Sequence, residues 1–225
     1  MKKISIFTLT MGRWFYLKNL IHSIDYDQDL EHFIVFQGVQ PTDEIQKIVN
    51  DRNITPIYLE KNIGIAMAMN LIYEKLNGDI IIKFDEDAKI LTKDFFTHVR
   101  EIHKMSPRLV FSPYPIGLIN NPGGVLSKEH QVGYSENTDT YYTMRIVNHI
   151  GGFARISPKE FTGHWRFEND LLSGVSGNED GQHSNMCLQN NIPMAYLENC
   201  LAVEHQESTL GQHKRYGKKY FKDRF

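Results

Sequence analysis

An α/β fold, with a mostly parallel central sheet flanked by helices, is predicted by three features of the chain. Apolar strand-like runs and amphipathic helical stretches alternate through its first half. The strand-like runs are nearly continuous in apolar residues, the pattern of strands buried on both faces. A length of 225 residues, with 41% hydrophobic and 23% charged side chains, is enough to cover such a sheet.

ISIFTLT (4–10) is β-branched and apolar and reads as the first strand. In RWFYLKNLIHSI (13–24), Leu17, Leu20, Ile21 and Ile24 recur at helical spacing. HFIVFQG (32–38) is the second strand, closed by a glycine. Thr42 offers an N-cap, Asp43 and Glu44 fill the first turn, and Ile45, Ile48 and Val49 form the buried stripe of the next helix. ITPIYLE (54–60) is a third strand, NIGIAMAMNLIYEKLN (62–77) a helix of small residues and methionine, and DIIIKFD (79–85) a fourth strand. Thr92 is the expected N-cap of an amphipathic helix over DFFTHVREIHKM (94–105).

The second half changes character. RLVFSPY (108–114) reads as a strand before the turn-rich LINNPGGVLS (118–127). YYTMRIVNHIGGFARI (141–156) reads as one or two strands around the Gly151-Gly152 break. Ser157-Pro158-Lys159-Glu160 has the form of a capping box with proline at the first helical position. GVSGNED (174–180) leads into a helix over DGQHSNMCLQNN (180–191), and IPMAYLE (192–198) and CLAVEH (200–205) are the last strands. No internal repeat or linker interrupts the chain, so residues 1–225 read as one domain whose halves share a sheet.

A formal net charge of −2 provides no global attraction to nucleic acid or membrane, so any such affinity must be local. MKKISIFTLTMGRW has the lysines of a signal peptide, but its apolar run is short, is broken by Ser5, Thr8 and Thr10, and lacks a small-residue cleavage pattern. It reads as a buried strand. No stretch approaches the ~20 apolar residues of a membrane span, which predicts a soluble protein. Cys187 and Cys200 have neither metal-type spacing nor a disulfide framework, as suits a reducing cytoplasm.

The chemistry is concentrated at Asp85, Glu86 and Asp87, which end the most apolar strand. On an extended backbone Asp85 and Asp87 share one side and Glu86 points away. Ligands of open α/β sheets bind beyond the carboxyl ends of the strands, where Thr10 to Arg13 and Gln37-Gly38 also fall. Two readings stay open: solvated acids, or carboxylates holding a hard divalent cation such as Mg²⁺ or Mn²⁺ with positions left for phosphate oxygens.

In their order and spacing, TLTMGR (8–13), the N-x-G-x-x-x-A-x-N of NIGIAMAMN (62–70), GDIIIKFDED (78–87), GGFARISPKEF (151–161), NED (178–180) and VEH (203–205) resemble a glycosyltransferase of the GT-A fold, closest to the family 2 type. The resemblance implies a Rossmann-like sheet with a smaller acceptor-side sheet. Residues 1–105 would be the nucleotide-binding half, and 106–225 the acceptor-binding half with a basic C-terminal tail. It implies a sugar transfer from a nucleoside diphosphate sugar, a UDP-sugar first, to a hydroxyl of a glycan, a lipid-linked or another acceptor, with Mn²⁺ or Mg²⁺ as cofactor. Asp85, Asp87 and His205 would bind the metal. Thr10, Arg13, Gln37, Asn62, Gly64, Asn70 and Asp85 would line the nucleotide. Asp180 would be the general base and Glu179 would orient the acceptor, giving inversion at the anomeric centre.

The match departs from the family where an aspartate usually ends the second strand and Gln37 stands instead, and where a fourth acid often follows Asp-x-Asp and Ala88 stands instead. Rival readings are an inactive nucleotide-sugar-binding protein and a sugar-phosphate nucleotidyltransferase. The latter wants a glycine-rich basic loop that TLTMGRWF lacks. Trp165 reads equally as an acceptor-stacking residue or as core. The tail HKRYGKKYFKDRF (213–225) reads as a solvated face, a closing segment over the diphosphate, or a contact for an anionic acceptor, nucleic acid among them.

Overall fold

The computed structural model describes residues 2–117, 129–168 and 179–209. The expected alternation is present at the start: β1 (Ile4–Thr10), α1 (Trp14–Ser23), β2 (Leu30–Gln37), α2 (Asp43–Asp51), β3 (Thr55–Leu59), α3 (Ile65–Tyr73) and β4 (Ile80–Asp85). These strands are all parallel, in the order β3-β2-β1-β4. Period-two alternation sends Ile80, Ile82 and Phe84 to a layer with Leu20, Phe95, Phe96 and Val99. Ile81 faces the opposite layer, with Phe7, Ala66, Met69 and Ile72. The small residues of α3 let that helix lie close on the sheet.

After β4 come β5 (Ala88–Ile90), α4 (Phe95–Met105), β6 (Val110–Ser112), β7 (Tyr114–Ile116), β8 (His130–Ser135) and β9 (Thr140–Val147). β10 (Ala154–Pro158), α5 (Lys159–Thr162), α6 (Glu179–Gln189), β11 (Met194–Leu197), β12 (Ala202–His205) and α7 (Gln206–Thr209) complete the described elements. β10 pairs antiparallel with β4 and extends the sheet to nine strands, β3-β2-β1-β4-β10-β6-β11-β9-β8. A second sheet has three strands, β5-β12-β7. The architecture is a large central sheet flanked by helices beside a small one.

Thr42 caps α2, accepting from the Ile45 N–H at 3.3 Å. Two other expected caps are corrected. α4 starts after Asp94, which is left-handed at φ +53° and makes no side-chain cap, because the Thr92 hydroxyl instead accepts the Ala202 N–H at 2.7 Å. The 157–160 capping box is absent because β10 runs on to Pro158 in register with β4, leaving Ser157 Oγ 3.4 Å from His183 Nε2. RLVFSPY is two strands, β6 and β7, that enter different sheets, and the short β5 and edge strand β8 had no sequence signal. Trp165 is core, 6% exposed against Val110, Cys187 and Met194. The stretch 118–127, the lead 174–178 and the tail 213–225 lie outside the described residues.

Gly78 is required by close approach rather than by its dihedrals. An added Cβ would lie 2.4 Å from the Ser5 nitrogen and 2.7 Å from the Ile4 carbonyl carbon, both backbone. Gly78→Ala should therefore cost ~1–3 kcal/mol through displacement of β4 from β1. Urea unfolding reads this out, and an unchanged midpoint would contradict the packing described.

Candidate active site

The acids after β4 turn three ways. Asp85 hooks back to Lys83, with Nζ to Oδ1 at 2.9 Å. Glu86, buried, accepts from the Thr10 hydroxyl at 2.5 Å and from Arg13 Nε at 2.7 Å. Asp87 is brought against the far end of the chain by the pairing of β5 with β12, in which His205 is the register partner of Ala88. As a result His205 Nε2 lies 3.4 Å from Asp87 Oδ2, and the Gln206 N–H donates to the Asp87 carbonyl at 2.9 Å. The Gln206 amide anchors α7 further, donating to the Ala88 carbonyl and accepting from Asn19. Phe153 packs on the imidazole, with ring centroids 5.6 Å apart.

Positive charge reaches these acids from the chain itself. Arg13 bridges Glu86, Asp87 at 3.3 Å and Glu207 at 2.5 Å. Asp87 is 1% exposed and its Oδ1 has no hydrogen-bond partner. Burial, then the charge of Asp85, pushes its carboxyl up to about 7. An orphaned carboxylate oxygen beside an imidazole fits a divalent cation, with its other positions left to water and phosphate oxygens. Of the third acid expected in the set, Asp85, one oxygen pairs with Lys83, and among the described residues no group of three or more His, Cys, Asp or Glu side chains could hold a metal.

A second pair of acids, Glu179 and Asp180, stands at the start of α6. Asp180 Oδ2 accepts the Gly152 N–H at 2.7 Å, and Oδ1 accepts from Arg155 at 3.0 Å. Burial works against its charge, yet Lys83 first, then Arg155 and the Gly152 N–H, outweigh that and hold Asp180 below its ordinary value. Glu179 is shifted the other way. Burial raises it more than Lys83, at 3.7 Å, lowers it, and its Oε2 has no hydrogen-bond partner. Adjacent carboxyls are thus shifted in opposite directions, Asp180 lowered and Glu179 raised.

On the nucleotide side the structure divides the predicted residues. Gln37 is 4% exposed at the end of β2 with Oε1 unpartnered, so it retains an acceptor for a ligand. Asn62 Oδ1 accepts the Gly64 N–H at 2.8 Å, and Gly64, at φ +84°, opens α3. The Thr10 hydroxyl is engaged by Glu86 and the Gly12 N–H, and both ends of the Asn70 amide are taken by the Phe167 backbone at 2.8 Å. Thr10 and Asn70 thus tie β1 to Glu86 and α3 to the Phe167 backbone. Sequence reasoning missed Lys83 and Arg155, whose signal was a cation inside an apolar strand. It also missed Glu207, for which there was none.

Because Asp87 favours its proton in the folded chain, stability is lost as pH rises from the ordinary carboxyl range through about 7. Without divalent cations, Asp87→Asn should melt above wild type at pH 8, with ~2–4 °C for each kcal/mol recovered, and the gain should shrink toward pH 4. A difference independent of pH, measured by thermal denaturation, would contradict the burial of this carboxylate.

No protein-family model and no curated protein matches the chain by sequence. Solved structures do match. GalNAc-T7 with UDP, GalNAc and Mn²⁺ aligns over 91% of this chain at 12% identity and a TM-score of 0.69. S. aureus TarS 1-349 aligns over 91% at 16% identity and 0.66. The mannosyltransferase PcManGT from Pyrobaculum calidifontis, with GDP-Man and Mn²⁺, aligns over 91% at 13% identity and 0.62. The chain spans 44%, 60% and 57% of those three chains. With its large sheet flanked by helices, its small second sheet and this shared architecture, the chain has the GT-A fold of these glycosyltransferase structures.

Proposed function

We propose that the protein is a metal-dependent glycosyltransferase of the family 2 type that moves a sugar from a nucleoside diphosphate sugar to an acceptor hydroxyl with inversion. The observation that carries the reading is the meeting of Asp87 and His205, from distant parts of the chain, beyond the carboxyl ends of the parallel strands. The neighbours' contents support the donor class: UDP-GlcNAc in one TarS complex and GDP-Man in PcManGT.

Asp87 and His205 would hold Mn²⁺ or Mg²⁺. When bound there, the cation supplies positive charge against the phosphate oxygens of the leaving group. Gln37 offers its free Oε1 to the nucleobase. Arg13 keeps Glu86 and Glu207 neutralised at the rim. Asp180, ionised and oriented by Arg155 and Gly152, accepts the proton of the attacking acceptor hydroxyl. Glu179, beside it, positions that acceptor. A single displacement with this external base inverts the anomeric centre, by the logic of inverting sugar hydrolysis.

The acceptor is a hydroxyl of a glycan or lipid-linked molecule. No helix among the described residues is long and apolar enough to cross a membrane, and both cysteines are unpaired thiols, which fits a cytoplasmic enzyme.

A UDP-sugar with Mn²⁺ should raise the melting temperature, since only true binders stabilise the folded chain. Asp180→Asn should keep that shift while losing ~10²–10⁴-fold in donor turnover. Absence of both shift and turnover with UDP-GlcNAc and GDP-mannose would remove the function, and a retained anomeric configuration in the product, read by NMR, would remove Asp180 from its role.

A further inference from the structure

Lys83 and Arg155 face each other directly in the register of β4 and β10, and both are almost fully buried, at 3% and 1% exposure. Like charges directly opposite on an antiparallel pair destabilise it, and apolar residues of similar volume generally pack such a position at lower cost. What offsets the charges comes from two directions. Asp85 lies 2.9 Å from Lys83 on the donor side, while Glu179 at 3.7 Å from Lys83 and Asp180 at 3.0 Å from Arg155 come from α6. The segment between is fitted to the same ammonium: Lys83 Nζ donates to the Gly152 carbonyl at 2.8 Å. A Cβ on Gly152 would lie 2.1 Å from Asp180 Oδ1 and 2.5 Å from Lys83 Nζ. One cation thus touches a donor-side acid, the backbone that orients the base, and the neighbour of that base.

We propose that Lys83 is a positioning residue for sugar transfer, holding Asp85 and the Glu179–Asp180 pair in one fixed arrangement through the Gly152 carbonyl. The inference rests on the transferase reading above. Lys83 acts through these groups rather than on the reacting atoms. Its removal should leave nucleotide binding intact and misplace the base, and small misplacements of a catalytic group cost on the order of 10²-fold in rate.

The test compares wild type with Lys83→Met and Lys83→Gln in UDP affinity and in UDP-GlcNAc hydrolysis with Mn²⁺. The expected result is unchanged UDP affinity and turnover lower by on the order of 10²-fold. Adding Glu179→Gln to Lys83→Met should cost little more, because groups acting as a unit are not additive. Undiminished turnover in the Lys83 variants, or fully additive losses, would overturn the proposal. If Lys83→Met does not fold, the double variant, which removes both partners of the ion pair, and Lys83→Gln, which keeps a donor for the Gly152 carbonyl, carry the comparison. Wild type that neither binds UDP nor hydrolyses UDP-GlcNAc would count against the transferase reading instead. Hydrogen exchange at the Gly152 amide then tests the arrangement alone: faster exchange in the variants shows that Lys83 holds the segment bonded to Asp180, and unchanged protection overturns the proposal.

Discussion

The antiparallel pairing of β10 with β4 is the constraint on which the rest depends. Alone, the parallel strands of the first half would leave β4 as an edge, with unpaired backbone groups and its lysine exposed. β10 covers that edge from Phe84 to Ile80 and continues the sheet into the second half of the chain. It also delivers Gly151 and Gly152 to the carboxyl end of β4, where the Asp85 N–H donates to the Phe153 carbonyl at 2.8 Å. Both Glu179 and Asp180 at the start of α6 and the acids at the end of β4 are located by reference to this seam.

Electrostatics follow from that geometry. Burying acids together raises the cost of each ionised form, and the chain answers with internal cations placed by strand register rather than by sequence proximity. Arg13 serves the Glu86–Asp87 side and Lys83 with Arg155 the Asp180 side. The compensation is incomplete in a useful way. Asp87 Oδ1, Glu179 Oε2 and Gln37 Oε1 remain without partners while buried, and such groups are costly unless a ligand completes them. They stand at Asp87 after β4, at the start of α6 and at the end of β2.

Much of this was legible early because it is local. Continuous apolar runs marked the buried parallel strands, Thr42 its helix, and Asp-x-Asp the ligand end of the sheet. The convergence of Asp87 with His205 was expected through a family resemblance, and the pairing of β5 with β12 supplies its physical cause. What failed locally failed to tertiary competition. Thr92 and Ser157 have the chemistry of caps, but a strand N–H claimed the first and sheet register the second.

The amino-acid order alone determined the α/β class, the parallel opening sheet and the end of it where the acids cluster, because periodicity and strand direction are properties of contiguous residues. Only the tertiary structure decided what each polar group does there. It turned Asp85 to Lys83 instead of to Asp87, set Arg155 against Asp180 and joined Arg13 to Glu207. Arg13 and Glu207 lie at opposite ends of the chain and acquire an interaction only when the fold brings them within reach, which is not written in any single stretch of sequence.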